Sequence, residues 1–466
     1  MNGDKTMLDL VFRIFIMPYF FKYKNLKRFD YYKILKKRDQ MSIKELNEIQ
    51  WKKLKLLVDH CYENVPYYRE LFDKHGIHPR NINTLKDFSK IPVLTKQDIK
   101  ENFKDLIDKN LEEKDIFYDS TSGSTGIPLQ LARSWDDQEY GAALKYRSNS
   151  WCGWYYWHKS VWLVSDTRRI TELDSLKGRI ILAIQRKLVI NTKKITQENM
   201  FNWVKQIKHY KPKFIYGYSS IITEFSRFLT ENNISIPGIE GVFSTAEILR
   251  ERELISKAFN APVYDQYGSS EIFCTAHECK KGNMHVNSDE ILIEFEDISD
   301  SSEIKKMICT PLYLYGMPLL RYDIQDAAIN SSKQCNCGLP YPVIELKVGR
   351  ISDNLISDKG KVISGVTLSW YLTDATKEIK QYQIIQETFK DIIIELVCEQ
   401  CYRENNEYNI KELLSEMLDC NDLNIQFKYV DKILPGKNGK YRPILSKVIN
   451  NFERIKPVKD KTKNLC

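Results

Sequence analysis

The chain has 466 residues, of which 42% are hydrophobic and 28% charged, and a net charge of +8. That length suits two or three domains, each able to bury its own core, in an ordinary soluble globular protein. The positive charge is spread along a Lys-rich chain with no dense basic block or aromatic-interleaved stripe, so nothing points to a nucleic-acid partner.

Eleven Cys, an odd number, occur without a recognisable secretory leader. A reducing, cytoplasmic location is expected, with close Cys pairs read as metal ligands rather than disulfides. The run Met7 to Phe21, "MLDLVFRIFIMPYFF", contains Asp9 and Arg13 and is too short to span a bilayer. Followed by "KYKNLKR", it has two readings: a helix packed on the protein's own core, or an amphipathic segment over residues 7–27 in peripheral contact with an anionic membrane.

Residues 40–110 carry Lys, Glu, Leu and Ile at helical spacing, and Thr95 in "IPVLTKQDIKENF" is placed to cap a helix. "DIFYDS" and "PLQLARS" read as strands flanking "STSGSTGIP". Between 160 and 270 strands and helices alternate, which argues for mostly parallel α/β sheets. The strand "GVFSTA" is expected to run into a helix capped by Ser244 and Glu247, three residues apart. Residues 290–350 read as short antiparallel strands, and an α+β tail follows Asp353. The expected organisation is a helical lead-in over 1–110, a core over 111–352 and a C-terminal lid domain over 353–466.

The stretch Thr121, Ser122, Gly123, Ser124, Thr125 and Gly126 is clamped between apolar segments, so it reads as a loop within a domain. Backbone N–H groups and hydroxyls can wrap an anion there without colliding Cβ atoms. No Lys follows and no helix opens after Gly126, which disfavours a Walker-type phosphate loop. Downstream, in order, come "YGSSE" (Tyr267–Glu271), "PLLRYDIQDAA" (Pro318–Ala328), "VGRISDNLI" (Val348–Ile356) and "ILPGKNGKYRPIL" (Ile433–Leu445).

This ordered set resembles the adenylate-forming superfamily of acyl-CoA ligases and peptide-synthetase adenylation domains. It looks most like the branch of phenylacetate–CoA ligase, coenzyme F-390 synthetase and the capsule-biosynthesis proteins, with the resemblance running from "NVPYYRELFDKHGI" at residue 64 to the last Lys motif. The resemblance implies an α/β fold with a large multi-layer domain, a small β subdomain and a smaller mobile α+β C-terminal domain. It also implies a reaction: a carboxylate attacks the α-phosphate of ATP, giving an acyl-adenylate and pyrophosphate, and a nucleophile then displaces AMP.

On the same resemblance, the Thr121–Gly126 loop would hold the β- and γ-phosphates, and Glu271 would bind Mg²⁺ bridging them. Pro128-Leu129 stands where many relatives carry Pro-Lys, which leaves fewer charges on pyrophosphate. Tyr267, Gly268 and Ser269 would wall the adenine and acyl pockets, and Ala246 and Glu247 would pass along the adenine edge. Asp326 would bind ribose, with Asp323 left as local structure. Arg350 would meet ribose or phosphate, and Asp353 would lie at a hinge. Lys440 would bridge the substrate carboxylate and the α-phosphate, with Lys437 outside the motif. The acyl pocket is expected among "WDDQEYGAALKYRSNSWCGWYYW" and around Ser219 and Phe243, although Trp and Tyr there also suit a core.

Cys274, His277, Cys279 and His285 precede the Cys335/Cys337 pair, and several sets of four could close a tetrahedral site. Zinc-bearing members of the resembled branch use a Cys and a His separated by five residues plus a Cys-x-Cys, a pattern met by Cys279, His285, Cys335 and Cys337; the zinc would be structural. The expected function is an ATP-dependent, AMP-forming ligase acting on a small carboxylic acid, with CoA, a carrier-protein thiol or an amine as acceptor. Polysaccharide or secondary-metabolite biosynthesis is its expected setting. The alternative is a non-catalytic, nucleotide-binding or zinc-stabilised interaction protein on the same fold.

Overall fold

The computed structural model describes residues 7–120, 129–164, 175–192, 195–247, 249, 251–297, 304–346, 355–357, 362–363, 379–398, 405–420, 422–434 and 443–448. Ser42 opens the helix Ile43–Asn64: its hydroxyl accepts from Glu45 N, and the Glu45 carboxylate accepts from Ser42 N. Thr84 with Asp87 and Thr95 with Asp98 repeat the device before Leu85–Phe88 and Lys96–Glu101, so the expected Thr95 cap is present. The inward faces of these helices bury Leu57, Val58, Phe72 and Phe88 in one cluster with Leu131, Leu320 and Tyr322.

Strands β1 (Ile116–Ser120) and β2 (Gln130–Ser134) pair antiparallel, with Ser120 opposite Gln130. The Ser/Gly stretch therefore joins two strands of a hairpin and not two domains. Ser134 and Asp137 box the start of the helix Trp135–Ser150, and the Asp137 carboxylate also accepts from Tyr315 N and Gly316 N, each at 3.0 Å. A Cβ at residue 316 would lie 2.6 Å from Ser134 N, so this approach requires the glycine.

Five strands follow in parallel: β3 (Ser160–Val164), β4 (Lys187–Asn191), β5 (Phe214–Tyr218), β6 (Gly241–Thr245) and β7 (Val263–Ser269), ordered β4-β3-β5-β6-β7. Helices Leu176–Ile184, Gln197–Tyr210, Ser219–Glu231 and Arg252–Phe259 lie in their connections. The next six strands are β8 (Phe273–Glu278), β9 (Met284–Val286), β10 (Ile291–Asp297), β11 (Ile304–Pro311), β12 (Tyr322–Asn330) and β13 (Val343–Glu345). They extend the same sheet to 11 strands in the order β7-β8-β9-β13-β12-β11-β10. The pairings β7–β8, β8–β9, β9–β13, β12–β13 and β10–β11 are antiparallel, and the last two fall within residues 290–350, where short antiparallel strands are expected.

The expected Ser244/Glu247 capping box is not formed. Ser244 lies inside β6, Ala246 turns the chain with φ +69, and the next helix starts only at Arg252. The Glu247 carboxylate instead accepts from Ser220 N at 2.7 Å, capping the start of the neighbouring helix.

The chain divides into two compact units, Met1–Ile324 with Ala328–Leu346, and Gln325–Ala327 with Lys347–Cys466. The second contains the two-stranded β14 (Leu355–Ile356) and β15 (Val362–Ile363). It also holds β16 (Ile379–Gln386), β17 (Asp391–Cys398), β18 (Asn424–Tyr429) and β19 (Ile444–Ser446) in the order β18-β17-β16-β19. The helix Asn405–Leu418 packs Ile410, Leu414 and Leu418 onto Tyr382, Ile384 and Ile394. The α/β class, with a smaller α+β C-terminal domain, is the expected one.

Within the first unit the fully buried Arg147 grips Asp289 with two parallel bonds of 2.7 and 2.8 Å, and donates to Asn287 Oδ1 at 2.6 Å and to the Tyr341 hydroxyl at 2.9 Å. Arg38 reaches Asp289 at 3.0 Å and also pairs with Glu290, which takes Lys53 and the Tyr140 hydroxyl as further partners. Burial pushes the Asp289 carboxyl up, but Arg147 and Arg38 outweigh it and hold the group below its ordinary range. A carboxyl depressed on folding contributes stability that is full above its unfolded pKa of about 3.9 and lost as pH falls through the folded value. Arg147→Met should therefore lower unfolding stability by about 3–5 kcal/mol at neutral pH, because a buried carboxylate loses its principal partner. Urea unfolding at neutral and acidic pH measures this, and the gap between variant and parent should narrow in acid.

Candidate functional site

After β4 the chain returns to the other side of β3 to form β5, so the parallel part of the sheet has a topological switch point there. Open α/β sheets bind ligands outside the carboxyl ends of their strands. The carboxyl ends of β5, β6 and β7 carry Tyr218-Ser219-Ser220, Thr245-Ala246-Glu247 and Tyr267-Gly268-Ser269. Two buried hydroxyl oxygens on these elements, Ser220 Oγ and Ser244 Oγ, have no hydrogen-bond partner among the described residues. They are polar groups that a ligand or water would satisfy.

β7 and β8 form the hairpin that carries Glu271. Its register shifts between Tyr267 and Gly268, and Phe273 sits at φ +51. A Cβ on Gly268 would lie 1.9 Å from the Phe273 carbonyl oxygen, so only glycine fits. At the tip Glu271 N donates to Ser269 Oγ at 3.1 Å. The Glu271 side chain points inward: the residue is 4% exposed, and Tyr322 donates its hydroxyl to Oε1 at 3.3 Å. No Lys or Arg pairs with Glu271 among the described residues. A buried carboxylate in that setting suits a divalent cation.

Tyr322 opens β12, the strand that also carries Asp323 and the half-buried Asp326. Asp323 pairs with Lys306 at 2.9 Å, and Gln325 takes φ +64 immediately before Asp326. Tyr322 is the residue beside Glu271 that the sequence did not single out; its place inside "RYDIQD", near the Asp326 expected to bind ribose, was the available signal. Thr121–Gly126, Arg350, Asp353, Lys437 and Lys440 lie outside the described residues.

Much of the aromatic segment expected around the acyl pocket is core. Trp154 packs on Tyr146, while Tyr156 meets Phe21, Phe29 and Tyr32 of the N-terminal helices at 5.3–5.9 Å. Trp162 and Tyr216 stack at 4.4 Å on adjacent strands, with the Lys145 ammonium over both rings.

Of the competing Cys and His residues, the structure brings together Cys279, His285, Cys335 and Cys337, whose ligand atoms all lie within 4.8 Å of one another. Cys274 and His277 make other contacts: Gln266 Nε2 approaches Cys274 Sγ at 3.3 Å, and His277 Nδ1 faces the Glu278 carbonyl. Two tight turns present the thiols. Lys281 N donates to Cys279 Sγ at 3.4 Å and Leu339 N to Cys337 Sγ at 3.5 Å, with Gly282 and Gly338 at φ +74 and +87.

Metal–sulfur bonds of about 2.3 Å and metal–nitrogen bonds of about 2.0 Å in a tetrahedron give edges of about 3.8 Å for S···S and about 3.5 Å for S···N. The observed edges are 3.7 Å for Cys279–Cys335 and 3.3 Å for Cys337 to His285 Nε2. His285 Nδ1 is engaged by the Tyr341 carbonyl at 2.8 Å, which leaves Nε2 to face the thiols, and burial pushes the imidazole pKa down toward the neutral ligand form. The donor set fits zinc.

A family profile for the CapK C-terminal domain matches residues 355–447. The fold of the chain is that of the adenylate-forming CoA ligases: it resembles 2-hydroxyisobutyryl-CoA ligase in a postadenylation state with 2-HIB-AMP, with a TM-score of 0.65, 17% identity, and coverage of 88% of this chain and 91% of that one. The sequence is 26% identical to Protein CapK of Staphylococcus aureus over 88% of this chain and 91% of that protein. It is 24% identical to a phenylacetate–coenzyme A ligase of Thermus thermophilus over 73% and 78% of the two chains. The chain is thus a homologue of CapK and of the phenylacetate–coenzyme A ligases.

The Gly268 contact gives a direct test of how the Glu271 hairpin is held. Gly268→Ala should cost more than about 2 kcal/mol in unfolding free energy, since the Cβ meets backbone and not a movable side chain. Ser270→Ala, at the exposed tip of the same hairpin, should change stability by less than about 0.5 kcal/mol in the same urea titration.

Proposed function

We propose that the protein is an ATP-dependent, AMP-forming ligase. A small carboxylic acid attacks the α-phosphate of ATP, pyrophosphate leaves, and the acyl-adenylate passes its acyl group to CoA, another thiol or an amine with release of AMP. Glu271 carries the reading: a carboxylate 4% exposed, without a basic partner among the described residues, at the carboxyl end of β7 in a chain homologous to CoA ligases. In this reading Glu271 holds Mg²⁺, which when bound offsets the charge of the β- and γ-phosphates.

The chain's own residues do the rest. Backbone and hydroxyl donors of Thr121–Gly126 cradle the terminal phosphates, and Ala246 and Glu247 border the adenine. Tyr267, Gly268 and Ser269 wall the nucleotide and acyl pockets. Asp326 accepts from the ribose hydroxyls, and Arg350 supplies a fixed cation to ribose or phosphate. Lys440 bridges the attacking carboxylate and the α-phosphate, where negative charge grows in the transition state. A rotation about Asp353 would withdraw Lys440 and admit the acceptor. Homology to CapK supports a place in capsule or other polysaccharide synthesis.

Exchange of labelled pyrophosphate into ATP, with a panel of aryl, hydroxy and sugar acids, tests the first half-reaction. Exchange should require Mg²⁺ and one class of acid; release of ADP and phosphate would refute the proposal, and nucleotide binding without turnover would favour the non-catalytic alternative. Lys440→Ala should lower exchange by on the order of 100-fold or more in a folded protein, and Lys437→Ala far less.

We propose further that Cys279, His285, Cys335 and Cys337 hold one structural zinc, the four protein ligands leaving no open position for substrate. Elemental analysis of untagged protein should find one zinc per chain. Cys335→Ser should lose zinc and lower the unfolding temperature. A zinc-free preparation of equal stability would refute the assignment.

A further inference from the structure

The first helix has two apolar faces. It runs from Met7 to Tyr23 with a π-helical turn at Phe12–Ile16. Met17, Phe20 and Phe21 turn inward onto the protein's aromatic core with Tyr32, Leu35 and Tyr156. That face accounts for the fold. The other face is bare: Phe15 is 65% exposed and Tyr19 71%. Beside it, from a different part of the chain, the helix Leu176–Ile184 presents Leu176 at 77% and Ile180 at 52%. The two helices together border an apolar groove of about 980 Å³. Exposed apolar residues scattered singly need no explanation, but a contiguous face built from two helices does.

The polar residues of this face have one sign. Lys22, Lys24 and Lys177 belong to the groove lining, and among the described residues no Asp or Glu does. The acid nearest in the helix, Asp9, is buried and paired with Arg186 at 2.5 Å. Tyr19 and Tyr23 stack at 6.2 Å, each with an apolar body and a polar tip, as residues do at a lipid headgroup boundary. A symmetric contact between two copies would set these lysines against the same patch, where no described residue offers a carboxylate. No helix among the described residues is long and apolar enough to cross a membrane, so the face can rest on a bilayer without spanning it.

We propose that this two-helix face docks on the surface of an anionic lipid bilayer. The exposed aromatic and aliphatic side chains enter the headgroup boundary, and the three lysines meet lipid phosphates.

The full chain, sedimented with vesicles of phosphatidylcholine alone and of phosphatidylcholine with phosphatidylglycerol, tests this. Binding should require the anionic lipid and weaken with added salt. Lys22→Glu with Lys24→Glu and Lys177→Glu should lower partitioning by on the order of 100-fold or more, at about 1 kcal/mol per lysine. Phe15→Ser with Tyr19→Ser should weaken binding to anionic vesicles while leaving solution unfolding stability nearly unchanged, because both residues are exposed. Failure to bind either vesicle, or binding that neither variant set reduces, would overturn the proposal. So would self-association in vesicle-free solution abolished by the Phe15/Tyr19 variant, which would make the face a subunit contact.

Discussion

The first unit is organised by the need to neutralise Arg147. Removing a guanidinium from water costs several kcal/mol unless its charge and hydrogen bonds are met. Here Asp289 meets the charge, while Asp289, Asn287 and the Tyr341 hydroxyl take bonds from both terminal nitrogens, leaving Nε without a partner among the described residues. Those partners lie 140 to 194 residues from Arg147 in sequence, so satisfying Arg147 fixes where the β9–β10 turn and the approach to β13 must sit against the helix Trp135–Ser150. Arg38 and Lys53 then bring two N-terminal helices to the same turn through Asp289 and Glu290. An alternative packing that separated any of these elements would strand a buried charge. The network therefore favours one arrangement more strongly than it adds net stability.

That dependence explains what could be read in advance. Local signals were legible: Thr95 with Asp98, the strands around the Ser/Gly loop, and the alternating strands and helices from Ser160 onward each follow from neighbouring residues. Ser244 and Glu247 had the right spacing for a cap, but β6 keeps Ser244 inside the sheet and Glu247 is drawn to Ser220 on a neighbouring helix. Arg147 looks like any solvated helix cation, because its partners lie about 140 to 194 residues away in sequence. The Cys and His residues offered several ligand sets by residue chemistry alone; the pairing of β9 with β13 is what brings His285 near Cys337. For Glu271, the motif named the residue, but its burial beneath Tyr322 depends on β12 lying across the sheet from β7.

The aromatic segment before β3 shows a similar limit. Tyr and Trp are equally suited to a pocket wall and to a core, and composition cannot divide them. The first helix decides several cases by supplying Phe21 as a packing partner for Tyr156. Because that helix spends one apolar face on this core, its second apolar face cannot be explained by the same packing. The Met7–Phe21 run thus packs one face on the protein's own core, as the first of its two readings expects, and leaves the other face to solvent.

The position of the Cys/His cluster also limits what it can do. β8 separates Glu271 from Cys279, and its six residues span about 20 Å at the usual strand rise. The cluster is therefore too distant to act on anything held at Glu271, and its influence must travel through the strand. A strand transmits register well, since a slip of one residue turns every side chain to the opposite face. At the near end, register matters acutely: Gly268 is the residue placed against the Phe273 carbonyl, and a slip would put a Cβ there. At the far end, Cys279 is tied to Cys335 and His285 to Cys337, across 56 and 52 residues of sequence. Fixing that end holds β8 in the one register that the glycine permits, and with it the depth at which Glu271 is buried.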